Sequence, residues 1–133
     1  MEFKISVSFR LAGIDFNPEE ITALVGIIPS KTWKIGDLID PRSSIRRKCN
    51  GWSLESKLDK STNLDEQIKS VFEQLQPGWQ SLVEICARHD ALIDCAIYVY
   101  KQVPAIHFDK DIVRKATELN AEIDVDLYFL PDD

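Results

Sequence analysis

The feature that most constrains this chain is a strict two-residue alternation that begins almost at residue 1. Phe3, Ile5, Val7, Phe9 and Leu11 are apolar, and Lys4, Ser6, Ser8 and Arg10 between them are polar. A strand sends successive side chains to opposite faces, so this segment must rest one face on a core and turn the other away. The same period returns twice. Cys95, Ile97 and Val99 alternate with Asp94, Ala96, Tyr98 and Tyr100 in a predicted strand over 92–101. Ile123, Val125, Leu127 and Phe129 alternate with Asp124, Asp126 and Tyr128 in a predicted closing strand.

The segments between read as helices and short strands. Asn17-Pro18-Glu19-Glu20 carries a helix start: a capping side chain, a proline suited to the first helical position, and a glutamate placed for a capping box. Ile21, Leu24, Val25 and Ile28 are its expected apolar stripe, and Pro29 its expected stop. Thr32–Ile35 predicts a short strand, 41–48 an exposed loop, and 51–56 a strand with Trp52, Leu54 and Ser56 on one side. Leu64, Ile68, Val71, Phe72 and Leu75 have helical spacing after an Asn63/Glu66 capping pattern. Pro77-Gly78 breaks that run, and Trp79, Leu82, Val83 and Cys86 begin a second stripe. Ile106–Phe108 predicts a short strand extension, after which Asp109 caps a helix with Ile112, Val113, Ala116 and Leu119 inward.

A strand, Phe16-Asn17 and a helix are echoed by a strand, Phe108-Asp109 and a helix. Two strand–helix–strand units with a helical insert between them suggest a ferredoxin-like α+β plan. The expected sheet is antiparallel or mixed, with helices on one face, in a single domain over 1–133. Phe3, Ile5, Val7, Phe9, Ile68, Phe72, Ile97, Val99, Val125 and Leu127 are its expected core.

Composition narrows the function classes. A chain of 133 residues, 44% apolar and 29% charged, suits one soluble globular core. No stretch approaches the ~20 apolar residues of a membrane helix, and Met1–Lys4 shows no start of a secretory signal. Cys49, Cys86 and Cys95 lack CxxC spacing and read as reduced thiols of a cytoplasmic protein. The net charge of −6 is uneven: Lys31–Lys60 holds eight basic and four acidic residues, the rest eight basic and 18 acidic. An acidic domain repels nucleic-acid phosphate, and a basic partner is its natural counterpart.

Pro29-Ser30-Lys31-Thr32-Trp33-Lys34-Ile35-Gly36-Asp37, Gly51-Trp52-Ser53 and Ile123-Asp124-Val125-Asp126-Leu127-Tyr128 have a familiar order. With Ser8–Gly13 and Phe16–Thr22 before them, the chain resembles a family of small bacterial proteins known only as a domain of unknown function. The resemblance covers nearly the whole chain. It implies bacterial origin and a single domain, and it supplies no catalytic residues.

No glycine-rich phosphate loop, HExxH or GxSxG is present. Cys86-x-x-His89 with Asp94-Cys95 is the one zinc-like grouping, but Cys86 and Cys95 fall on apolar faces and read as structural thiols. No zinc and no cofactor are expected. His107 has no nucleophile to serve and reads as a loop histidine.

The polar sheet face holds the stronger candidates. Asp124 and Asp126 should stand ~6–7 Å apart there, joined by Asp94 if the two strands are neighbours. Such carboxylates can hold a divalent cation, act as an acid/base pair, or merely solvate an edge. Tyr98, Tyr100 and Tyr128 share the face, with Trp33 and Trp52 expected from the middle strands. A monomer gains little from exposing rings, so either a partner or the basic loop Arg42, Arg46, Arg47 and Lys48 covers them. The function expected is therefore a non-enzymatic protein-binding module, with an immunity or antitoxin role among its settings. Its expected contacts are Trp33, Trp52, Tyr98, Tyr128, Asp124 and Asp126. The alternative is a small-ligand or metal-assisted enzyme built on the carboxylates.

Overall fold

In the computed structural model, which describes residues 2–131, the alternating N-terminal segment becomes the central strand β1, Phe3–Gly13. Ile5, Val7, Phe9 and Leu11 are all buried, as the alternation requires. The chain continues through α1 (Pro18–Val25), β2 (Lys31–Trp33), β3 (Asn50–Glu55) and α2 (Leu64–Leu75). A 3-10 turn (Gln76–Gly78) leads to α3 (Trp79–Cys86), β4 (Asp90–Val99), α4 (Lys110–Glu118) and β5 (Ala121–Phe129). Asp132 and Asp133, part of the acidic C-terminal run, lie outside the described residues.

The strands form one mixed α+β sheet in the order β2-β3-β1-β4-β5. β1 pairs antiparallel with β3 and β4, and β2 antiparallel with β3; β5 joins the edge parallel to β4. The helical pair α2–α3 connects β3 to β4, between the β1–α1–β2–β3 segment and the β4–α4–β5 segment. Helix α4 makes the crossover that a parallel neighbour demands.

The apolar stripes of the helices meet the apolar face of the sheet in a single core. Ile21 and Val25 of α1, Leu64, Ile68, Val71, Phe72 and Leu75 of α2, and Ile112 and Ala116 of α4 are buried there. Trp52 is completely buried, edge-on to Phe9 at 6.3 Å, and its indole nitrogen donates to Thr22 Oγ1 at 3.0 Å.

Several local expectations need correction. Helix α1 ends before Pro29, because Gly26 takes the left-handed conformation (φ 71°) and donates to Thr22 O. Leu24 and Ile28 are consequently exposed. Asn17 caps as expected, accepting from Glu19 N, whereas the Asn63 side chain makes no cap bond. Val113 is exposed, and Ile106–Phe108 is coil. Phe3 and Val125 are half-buried and Leu127 is exposed. The reason for the last is length. Nine residues of α4 span about 13 Å, against about 30 Å for nine of β5. Helix α4 leads into the start of β5, so it shelters Ile123 and Val125 and leaves Leu127 and Phe129 open.

One buried polar residue holds the centre together. β3 pairs with β1 only from Ser8 onward, so the earlier part of β1 needs other partners. Ile5 N donates to Lys60 O at 2.8 Å, and Ser56 N donates to Val7 O at 2.9 Å. Gln67, 1% exposed within the apolar stripe of α2, donates through Nε2 to Ile5 O and Thr62 O, both at 3.0 Å. Gln67→Leu keeps the volume but orphans both carbonyls. It should lower unfolding free energy by about 1–3 kcal/mol in urea denaturation; parent-like stability would show that neither bond matters.

Candidate functional site

Among the described residues no helix covers the polar face of the sheet, and pair registers fix who meets whom on it. Lys4, Tyr98 and Tyr128 form one row. Ser8, Asp94 and Asp124 form another, with Ala96 and Asp126 between the two. At the far end Trp33, Gly51, Ala12 and Asp90 lie side by side. Eight residues of β4 separate Asp90 from Tyr98, roughly 26 Å along the strand. The six expected contact residues therefore do not make one patch.

Trp52 leaves the candidate set altogether. In the β3 register it opposes Leu11, on the core side, because the outward positions of that strand belong to Gly51 and Ser53. Trp33 does lie on the polar side but is covered, only 7% exposed. Its ring lies over Gly51, where a Cβ would fall 1.9 Å from Trp33 Cε2, so only glycine admits the indole. The Arg47 guanidinium caps the ring at 4.4 Å and Arg10 approaches it at 5.6 Å. The basic loop is thus a lid on one end of the face. It is folded on itself through Gly36 N to Arg47 O, Arg47 N to Asp37 O and Arg46 Nη1 to Gly36 O.

The other end is open. Tyr98 and Tyr128 stack at 5.1 Å with planes 19° apart, and Tyr128 is 46% exposed. Beside them Asp94, Asp124 and Asp126 bring one carboxylate oxygen each within 4.8 Å of the others. Two unit charges at that distance repel by roughly 1 kcal/mol even in water. The negative field raises the Tyr128 phenol above its ordinary value, with Asp126 the main cause. Arg10 offsets part of it: its Nε lies 3.6 Å from Asp94 Oδ2, an ion-pair distance too long for a hydrogen bond. This end offers negative charge and aromatic surface together.

The thiols and histidines take structural places. Cys86 and Cys95 are buried in the core, and burial pushes both thiols up to about 12, with Asp94 and Asp124 adding to the effect on Cys95. His89 packs against Phe16 at 4.9 Å, and His107 is exposed in the coil before α4. Arg10 and Gln67 escaped the sequence reading. Both had a visible signal: Arg10 is a cation amid serines on a central strand, and Gln67 a polar residue within an apolar helical stripe.

The family described as Domain of unknown function (DUF4279) matches residues 1–130, and the chain belongs to it. No curated protein and no solved structure matches the chain.

The raised thiols make a pH prediction. An unfolded thiol ionises near ~8.5, so the contribution of the buried neutral thiols is intact below that pH and lost as pH rises toward 12. The urea midpoint of the parent should fall above pH ~9 more steeply than that of a Cys86→Val/Cys95→Val variant. At neutral pH a thiol reagent should label half-exposed Cys49 and reach the other two only on unfolding.

Proposed function

We propose that this member of the family is a non-enzymatic, cytoplasmic protein-binding module that takes a basic segment of a partner on the open end of its polar sheet face. The observation that carries the reading is the stacked Tyr98–Tyr128 pair set against three carboxylates within 4.8 Å of one another. An arginine or lysine placed there relieves the repulsion among Asp94, Asp124 and Asp126. It also packs on an aromatic face already ordered by stacking, which lowers the entropy cost of contact. Free thiols and the net charge of −6 agree with a cytoplasmic, acidic partner protein. An immunity or antitoxin role is one setting for such a module.

A second reading rests on the carboxylates alone. Oxygen ligands of one calcium ion stand no more than about 5.2 Å apart, and the three carboxylate oxygens lie within 4.8 Å of one another. A divalent cation is then the occupant, with Arg10 its competitor for Asp94.

The two readings separate in one titration series. An Arg- and Lys-rich peptide should bind the parent, more weakly as salt rises, while an acidic peptide of equal length should not. Tyr128→Ala should weaken the basic peptide by about 2 kcal/mol, roughly 30-fold. Asp124→Asn with Asp126→Asn should slow association, more at low salt than at high. Variants that bind like the parent would remove this surface from the function. Melting raised by Ca²⁺ in the parent but not in the Asp124/Asp126 variant would favour the second reading.

A further inference from the structure

The covered end of the polar face holds a second feature, separate from the Tyr98–Tyr128 end. A trough of about 760 Å³ opens there, with Arg10, Trp33 and Arg47 on one wall and Asp90 and Glu122 among the residues of the other. Its floor is low because Ala12 puts only a methyl group between Asp90 and Trp33, whose ring lies over Gly51. The basic wall is rich in unanswered donors. Trp33 Nε1, Arg47 Nε and Arg10 Nε are buried, and none has a hydrogen-bond acceptor among the described residues. Arg47 also forms no ion pair among them, although two acids line the same trough. Buried N–H groups without acceptors are rare and destabilising. All three belong to residues that line the trough, two of them guanidinium groups, and an oxyanion seated there would supply acceptors that the protein does not.

We propose that this trough binds a small ligand through one carboxylate or phosphate group, held by Arg47 and Arg10 against the edge of Trp33. Arginine suits the task because its planar donors match the paired oxygens of either anion. Arg10 can serve while leaning toward Asp94, since its side chain is 41% exposed and its Nε contact there is long. Asp90 and Glu122 limit what else the ligand carries. A polyanion would meet them, so the rest of the molecule is neutral or cationic. The size of the trough fits a metabolite rather than a protein segment.

The test uses inorganic phosphate and acetate as separate probes, with chloride at matched ionic strength as the control. In the parent, one or both should shift the Trp33 indole N–H resonance saturably, the resonance being assigned with Trp33→Phe. The probe that acts identifies the anion class. Arg47→Gln should weaken binding about tenfold or more, whereas Arg42→Gln, elsewhere in the same loop, should leave it unchanged. Arg10→Gln should weaken it too. If that variant fails to fold, the indole shift in the parent and its loss in Arg47→Gln still decide. No saturable shift with either probe, or equal binding by Arg47→Gln and the parent, would overturn the proposal.

Discussion

The structure depends on satisfying both edges of β1. An eleven-residue strand in the middle of a sheet carries a row of donors and acceptors on each side, and each must find a partner away from water. β4 answers one side along Phe3–Ala12. The other side is shared: β3 takes Ser8–Gly13, and the segment after β3, with Gln67 behind it, takes what remains. This division positions α2, because Gln67 can reach Ile5 only if that helix lies across the start of β1. The core cluster of Leu64, Ile68, Phe72 and Leu75 then falls over Ile5 and Val7 as a consequence.

The polar face inherits its chemistry from the same register. Arg10 stands at the middle of the sheet, between a carboxylate cluster on one side and an indole on the other. It separates a negative, open end from a cationic, roofed end. The net charge conceals this polarity: Arg47 lies over Trp33 at the level of Asp90, and Asp94 and Asp126 lie four and six residues further along the sheet.

Much of the fold was legible because period-two and helical stripes are local properties. The buried run of β1, the break at Pro77-Gly78, the Asn17 and Asp109 caps and the α+β sheet all follow from neighbours in sequence. The site was legible in part. Asp94, Asp124 and Asp126 meet as expected because β4 and β5 are register partners. Trp52 was misplaced, since a short strand of mixed polarity leaves its inward side undecided until its pairing partner is known. Trp33 was on the right face, but its cover by Arg47 is a tertiary event across 14 residues of loop, which no local pattern encodes. Gly51, whose missing side chain makes room for the indole, is intelligible only once that contact is seen.

The shortness of α4 has a consequence for local stability. Among the described residues, the latter half of β5 has a single strand neighbour, and Leu127 and Phe129 are exposed. A segment with one ladder and little buried surface opens at a small fraction of the global free energy. Tyr98 sits on a strand paired on both sides, and Tyr128 on an edge strand. The stacked pair therefore joins an interior strand of the sheet to its edge. A ligand that clamps the two rings would slow amide hydrogen exchange along β5 while leaving the helices unaffected, converting occupancy of a surface into order of an edge.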